Sequence, residues 1–329
     1  QGPAAGIRPT KKNPLRDVDG LARVLLAYEV ELDRNRAPAE IRAHPAAVDF
    51  PGPVPAGARR VGRKLAIDTA APGWHGTGLD AAPGEVVTVT VPKKAAGAGL
   101  RLLIGAHKDR LWHKPAWHRV PEITRAWPMT AETTEAANAY GGLLYVVVPR
   151  GAKLGTIEVA LEGAVAAPRF VLGETTNALW RATVRQAPAP WAELETGKVI
   201  LTVPSSVIRA LDDPEALLVW WDRVLDGCAD LAARPRERVR PERYVTDVQI
   251  SAGYMHAGYP IMTHLDAAPR FVDLERLSTK GDWGMFHEMG HNHQSRDWTF
   301  AGTGEVTVNL FSLYLMETVC AKGIGHRAM

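Results

Sequence analysis

The chain has 329 residues, of which 46% are hydrophobic and 23% charged, and its formal net charge is +3. That is enough chain for two compact units with their own cores, and the composition is that of a folded globular protein. The charge is too small to argue for nucleic acid, and no apolar stretch approaches the ~20 residues that span a bilayer.

Residues 1–50 begin with a Gly-, Pro- and Lys-rich tail and continue into a helical stretch around Val18 to Arg36. From 51 to 187 short β-rich runs dominate: Glu85 to Val91, Leu100 to Ile104, Leu143 to Val148 and Thr156 to Leu161. Turn signals such as Ala82-Pro83-Gly84, Gly141-Gly142 and Arg150-Gly151 separate them, and short strands so spaced imply a β-sandwich. The prolines of Pro188-Ala189-Pro190-Trp191 mark a boundary, so 188–329 reads as a second domain. It opens with a strand, Lys198 to Val203, and a helical stretch from Ser205 to Ala233 broken near Pro214; strands follow at Tyr244 to Ser251 and Tyr259 to His264.

The basic run Arg234 to Arg243 carries interleaved prolines and glutamates, which suit a solvated connector better than a phosphate-binding patch. Cys228 and Cys320 are the only cysteines. Two buried thiols and one disulfide are both open readings, and there is no metal-binding cysteine spacing. His107, His113 and His118 lie loosely among Trp112, Trp117 and Trp127, without the regular spacing of a metal site, so loop and core packing is the default. An exposed tryptophan there would suit the apolar face of a sugar, whereas Trp220-Trp221 reads as core.

Phe286-His287-Glu288-Met289-Gly290-His291-Asn292-His293-Gln294 contains the pattern His-Glu-x-x-His. Residues four apart on a helix stand one above the other, so His287 and His291 can aim two imidazole nitrogens at a single Zn2+. Glu288, about a quarter-turn away, can reach a water at the metal without ligating it, which makes it the candidate general base. A catalytic zinc needs a third protein ligand. Thr303 to Glu317 reads as a second helix with Glu305 in its first turn, and Glu305 is the expected ligand. Asp297 fits better as an acceptor for a ligand imidazole, and Glu317, three turns along, as a solvated carboxylate. Asn292 and Asn309 are further candidates to orient ligands, although ordinary helix-to-helix hydrogen bonding explains them equally. For a developing oxyanion, Tyr254, His256, Tyr259, His264, His293 and Tyr314 stand unranked.

The run from Trp283 to Tyr314, with His-Glu-Met-Gly-His-Asn-His-Gln, Trp298-Thr299-Phe300 and Gly304-Glu305-Val306-Thr307, resembles the enhancin-type, mucin-degrading zinc metallopeptidases, peptidase family M-sixty. The resemblance extends upstream through Gly258-Tyr259-Pro260-Ile261-Met262 and the segment containing Trp74, Thr77, Gly78, Pro83 and Gly84. It implies that His287, His291 and Glu305 hold one zinc per chain and that Glu288 is the base. It implies an α+β fold in which a β-sandwich leads into a zincin-type domain of mixed sheet plus helices, with zinc on the active-site helix. Gly253 to Met262 becomes the expected edge strand for an extended substrate, with Gly258 and Tyr259 as substrate contacts. The implied activity is proteolysis of glycoproteins, O-glycosylated mucin-like chains among them, in a secreted or cell-surface setting. Two other readings stand beside it: a glycoprotein- or carbohydrate-binding protein with a structural or vestigial zinc, and a metallopeptidase without glycan dependence. The intact Glu288 argues against the first, because a structural site has no use for a base. The sequence stops 24 residues after Glu305, short of the helical subdomain that zincin folds generally carry there, and so reads as a fragment or a minimal form.

Overall fold

The computed structural model describes residue 4 and residues 6–320. The chain divides into two compact units, Gln1–Pro168 with Gln186–Glu193, and Arg169–Arg185 with Leu194–Met329. Residues 1–50 belong to the first unit. There α1 (Gly20–Asn35) buries Leu26, Glu29 and Val30, and Leu15–Arg16 pairs antiparallel with Ala116–Trp117.

The first unit is built on eight strands: β1 (Arg60–Asp68), β2 (Gly73–Ala81), β3 (Val87–Thr90), β4 (Arg101–Ile104), β5 (Arg125–Pro128), β6 (Thr133–Ala136), β7 (Gly142–Val148) and β8 (Thr156–Ala166). Their order is β5-β4-β7-β2-β8-β3-β6, with β1 on β8 as well. The long β8 pairs along its length with β1 and β3 and, past a register shift between Leu161 and Ala164, with β2. The sheet thereby folds over on itself, as a sandwich does, around Leu79, Val89, Leu102, Ile104, Val146 and Val159. Along β1, β3 and the first half of β8 alternate residues supply this core and leave the others more exposed, whereas β7 is buried at nearly every position. Gly141 shows why the Gly-Gly turn is needed: at φ +65° a β-carbon there would lie 2.4 Å from the carbonyl oxygen of Ala81.

The second unit carries a six-stranded sheet. Its strands are β9 (Arg169–Val171), β10 (Trp191–Glu195, which runs across the division), β11 (Val199–Pro204), β12 (Glu242–Asp247), β13 (Met255–His256) and β14 (Ile261–His264). The order is β9-β10-β11-β12-β14-β13. β11, β12 and β14 run parallel, and β13 lies antiparallel to β14 at the edge. The expected edge strand is thus the two residues Met255 and His256 within Gly253 to Met262. Among the helices, α2 (Asn177–Ala182), α3 (Ser205–Ile208), α4 (Pro214–Leu231), α5 (Ala268–Phe271) and α6 (Leu274–Lys280) precede the motif helix α7 (Trp283–His293). Pro214 opens α4 at a position where its missing N–H is no loss. The single helix expected from Thr303 to Glu317 is instead two segments meeting at Val308, α8 (Gly304–Thr307) and α9 (Asn309–Thr318). Trp220 and Trp221 are buried, as expected of core. Cys228 and Cys320 are buried free thiols, and burial pushes Cys228 up to about 12. Among the described residues no helix is long and apolar enough to cross a membrane.

Candidate metal centre

The Asp282 side chain caps α7 by accepting from the Met285 N–H at 3.3 Å, which satisfies one of the free donors at a helix start. Arg270 and Arg276 hold the same carboxylate at 2.7 and 3.2 Å. The Tyr244 hydroxyl of β12 donates to the Met285 carbonyl at 2.6 Å and ties the helix to the sheet. One face of α7 buries Met285, Phe286, Met289, Gly290 and His293. The 3.6-residue repeat then leaves His287, Glu288 and His291 half-buried on another face. Gly290 lets α9 approach: a β-carbon on it would meet Phe311 Cβ at 2.9 Å and Val308 Cγ2 at 3.0 Å. Gly284 does the same for the edge strand, with Met255 Sδ at 3.2 Å.

These contacts bring Glu305 of α8 onto the two histidines. Its Oε2 lies 3.1 Å from His287 Nε2 and its Oε1 3.5 Å from His291 Nε2. The two Nε2 atoms are 3.2 Å apart, with the rings nearly perpendicular at 87°. Each Nδ1 faces an amide oxygen: His287 meets Asn309 Oδ1 at 2.9 Å and His291 meets Gln294 Oε1 at 2.8 Å. Gln294 donates its Nε2 protons to Gly304 O at 2.7 Å and Thr307 Oγ1 at 2.8 Å, so its Oε1 is the acceptor. An acceptor requires a proton on His291 Nδ1, and Asn309 places the same demand on His287. Both Nε2 lone pairs then converge, bare, beside a carboxylate. Three such donors repel one another unless a cation sits among them.

The fit to zinc is close. With bonds of ~2.0–2.1 Å, a tetrahedral zinc sets its donors about 3.3 Å apart, and the distances of 3.1, 3.2 and 3.5 Å, the first and last to different Glu305 oxygens, lie around that value. Among the described residues, His287, His291 and Glu305 are the one group of at least three His, Cys, Asp or Glu ligand atoms clustered closely enough for this. Glu288 stands beside them, and partial burial raises its carboxyl above the ordinary range, opposed by His287 and His291.

Asp297 does not touch a ligand imidazole. It accepts from Ser295 Oγ at 3.0 Å on the exposed loop after α7, and the position expected of it is filled by Gln294, which spacing did not suggest. Asn292 faces away from the histidines. It donates to Gly258 O at 2.9 Å and Glu242 at 2.9 Å, and accepts from Gly258 N–H at 3.1 Å. Gly258 is thereby fixed to α7, and the adjoining Tyr259 ring lies 3.7 Å beneath the Arg240 guanidinium. Of the oxyanion candidates, His293 is buried with Nδ1 on the Met289 carbonyl at 2.7 Å and Nε2 2.7 Å from Arg238, and burial lowers it to about 4. Tyr254 bonds Asp266 at 2.8 Å, and Tyr314 lines a groove with Arg223 and Asp226. His256 on the edge strand acts electrostatically on Glu288 and has its ring nitrogens near Ser251 Oγ and Ala257 O at 3.2 and 3.0 Å. His107 packs between Phe50 and Trp191 at 4.6 and 4.3 Å, a core histidine.

Comparison with known proteins accords with this geometry. Residues 163–328 match the family model "Peptidase M60, enhancin and enhancin-like", and residues 56–186 match the N-terminal domain of M60-like peptidases. The chain belongs to the enhancin-like peptidase family. Its fold is that of IMPa metallopeptidase from Pseudomonas aeruginosa, with a TM-score of 0.61 at 19% identity over 86% of this chain and 36% of that one. ZmpB metallopeptidase from Clostridium perfringens gives 0.59 at 17% identity over 77% of this chain and 58% of that one. In sequence the chain is 46% identical over 247 residues to TRPM8 channel-associated factor 2 of Bos taurus and 44% identical to its Homo sapiens counterpart. It spans 27% of the length of each and aligns over 75% of its own. Proteins called metallopeptidases thus share its fold, and proteins named for a channel share its sequence.

Proposed function

We propose that this chain is the catalytic part of a zinc-dependent endopeptidase that cuts glycoproteins, O-glycosylated mucin-like chains among them, at the cell surface or outside the cell. The observation that carries this reading is the convergence of two bare Nε2 lone pairs and a carboxylate beside a half-buried acid. His287, His291 and Glu305 would hold the zinc. When bound, zinc acts as a Lewis acid that makes a water acidic and polarises the scissile carbonyl. Asn309 and Gln294 keep both histidines in the tautomer that can ligate. Glu288 takes the proton of the attacking water on its carboxylate and passes it to the leaving amine, a role helped by burial that brings its affinity for protons nearer neutrality. Met255 and His256, at the open edge of the sheet, offer an extended substrate a strand to pair with, and the fixed Gly258 shapes the end of that edge.

A second reading is favoured by the relatives named for association with the TRPM8 channel: a binding module in which the metal stiffens a docking surface. The retained base supports the peptidase. The experiment is mass-spectrometric analysis of an O-glycosylated mucin peptide and its unglycosylated twin, each incubated with the wild type and with Glu288→Ala. Cuts confined to the glycosylated peptide and lost in the variant are expected. Equal cutting of both leaves a general peptidase, and no cutting by zinc-loaded wild type favours the binding module.

A further inference from the structure

The first unit carries a groove of about 520 Å³ that no step of proteolysis uses. It lies on the outer face of the sheet, away from the core. Register places Trp74 of β2 opposite Val147 of β7, Val147 opposite Arg101 of β4, and Arg101 opposite Pro128 of β5. Directly paired residues share a face, so these four form one row across four strands. A second row sets Tyr145 opposite Leu103 and Leu103 opposite Ala126. The floor is therefore apolar, with Trp74 at one end, its ring 5.4 Å from that of Tyr145.

The rim is cationic. Arg34, Arg101, Lys108, Arg110 and Arg125 line the groove against a single acid, Glu122. Glu122 is already engaged by Arg34 at 2.5 Å and Arg110 at 3.3 Å. Arg125 is held in place: its guanidinium donates to the carbonyls of Asp33, Arg34 and Arg36 at the end of α1 and lies 3.9 Å over the Trp127 ring. Arg101 is exposed and has no acid partner among the described residues. Lys108 is partly desolvated, which lowers its pKa, and the neighbouring Asp109 charge opposes that shift.

We propose that this groove binds an anionic sugar, carboxylated or sulfated. An aromatic ring beside an apolar floor receives the C–H face of a pyranose, and the exposed Arg101 guanidinium receives a planar or tetrahedral oxyanion, with Lys108 and Arg125 adding positive charge beside it. The volume falls within the ~300–1,000 Å³ of small-ligand sites. A bare phosphate would need the rim alone, and the tryptophan row is what selects a sugar. The assignment is independent of the peptidase reading, because binding can be read without turnover.

The test is an NMR titration of the full chain with 3′-sialyllactose and lactose 3′-sulfate, with lactose as the neutral control and inorganic pyrophosphate as the bare anion. Both acidic sugars are expected to bind at least tenfold more tightly than lactose. Arg101→Glu, on an exposed strand position, and Trp74→Ala should each weaken them about tenfold, the range set by losing one charge-assisted contact. Glu288→Ala should leave the titration unchanged. No binding of either acidic sugar overturns the proposal. So does unaltered binding by Arg101→Glu, or pyrophosphate matching the sugars while Trp74→Ala, verified as folded by thermal melting, binds them as the wild type does.

Discussion

The Oε1 of Gln294 lies 2.8 Å from Nδ1 of His291, and the same amide donates to Gly304 and Thr307. One side chain at the end of α7 thus sets the tautomer of one imidazole and anchors the turn that presents Glu305. Gln294→Ala removes both functions. Zinc affinity should fall about 10- to 100-fold, the usual effect of removing such a support, and competition with a chromogenic chelator would measure it. Asn309→Ala should produce a similar loss through His287.

Gly290→Ala opposes two effects. Alanine gains about 1 kcal/mol of helix propensity over glycine. The new β-carbon would press on Phe311 and Val308 at 2.9 and 3.0 Å, and overpacking of a buried contact costs about 1–3 kcal/mol. The second effect should win, lowering the denaturation midpoint and weakening zinc binding together, since α8 and α9 carry Glu305 and Asn309.

Asn292 is a positioning residue. Asn292→Ala leaves both backbone groups of Gly258 without their partner and takes a donor from Glu242, whose carboxyl is already raised by burial. Zinc content should stay at the wild-type value while KM for the glycopeptide rises several-fold. A parallel loss of zinc would show that Asn292 supports the metal centre instead.

Asp80 makes the stability of the first unit depend on pH. It is fully buried, with no partner for Oδ2, and burial raises its carboxyl to about 8. Between its unfolded value near 4 and about 8, the folded state holds a proton that the unfolded state has released. The contribution of Asp80 to stability is therefore greatest below pH 4, falls as pH rises through this window, and levels off above it. Asp80→Asn should flatten the dependence and stabilise the protein at pH 7.5 by up to about 5 kcal/mol, the cost of keeping a proton over about 3.5 pH units. Urea midpoints at pH 5 and pH 7.5 would measure both effects.

Local spacing made much of the second unit legible. A helix must place His287 and His291 on one face, Pro214 must interrupt the helical stretch before α4, and a short continuous apolar run marks β11, as such runs mark β4 and β7 in the first unit. What escaped depends on distant partners. β1 and β2 hide their alternation behind arginines, lysines and glycines, and they become strands because β8 and β7 pair with them. Gln294 carries no signal of its role in the sequence because its partners lie 10 and 13 residues downstream. Asp297 had suitable spacing, but Ser295 captures its carboxylate locally. The break at Val308 leaves no mark in the apolar periodicity.

The central claim is that His287, His291 and Glu305 hold one zinc for Glu288 to work beside. Native mass spectrometry of zinc-reconstituted protein tests it most directly. The account predicts one zinc per chain in the wild type and in Glu288→Ala, and none in His291→Ala or His287→Ala at the same free zinc. Zinc retained by both histidine variants, or absent from the folded wild type, would contradict it.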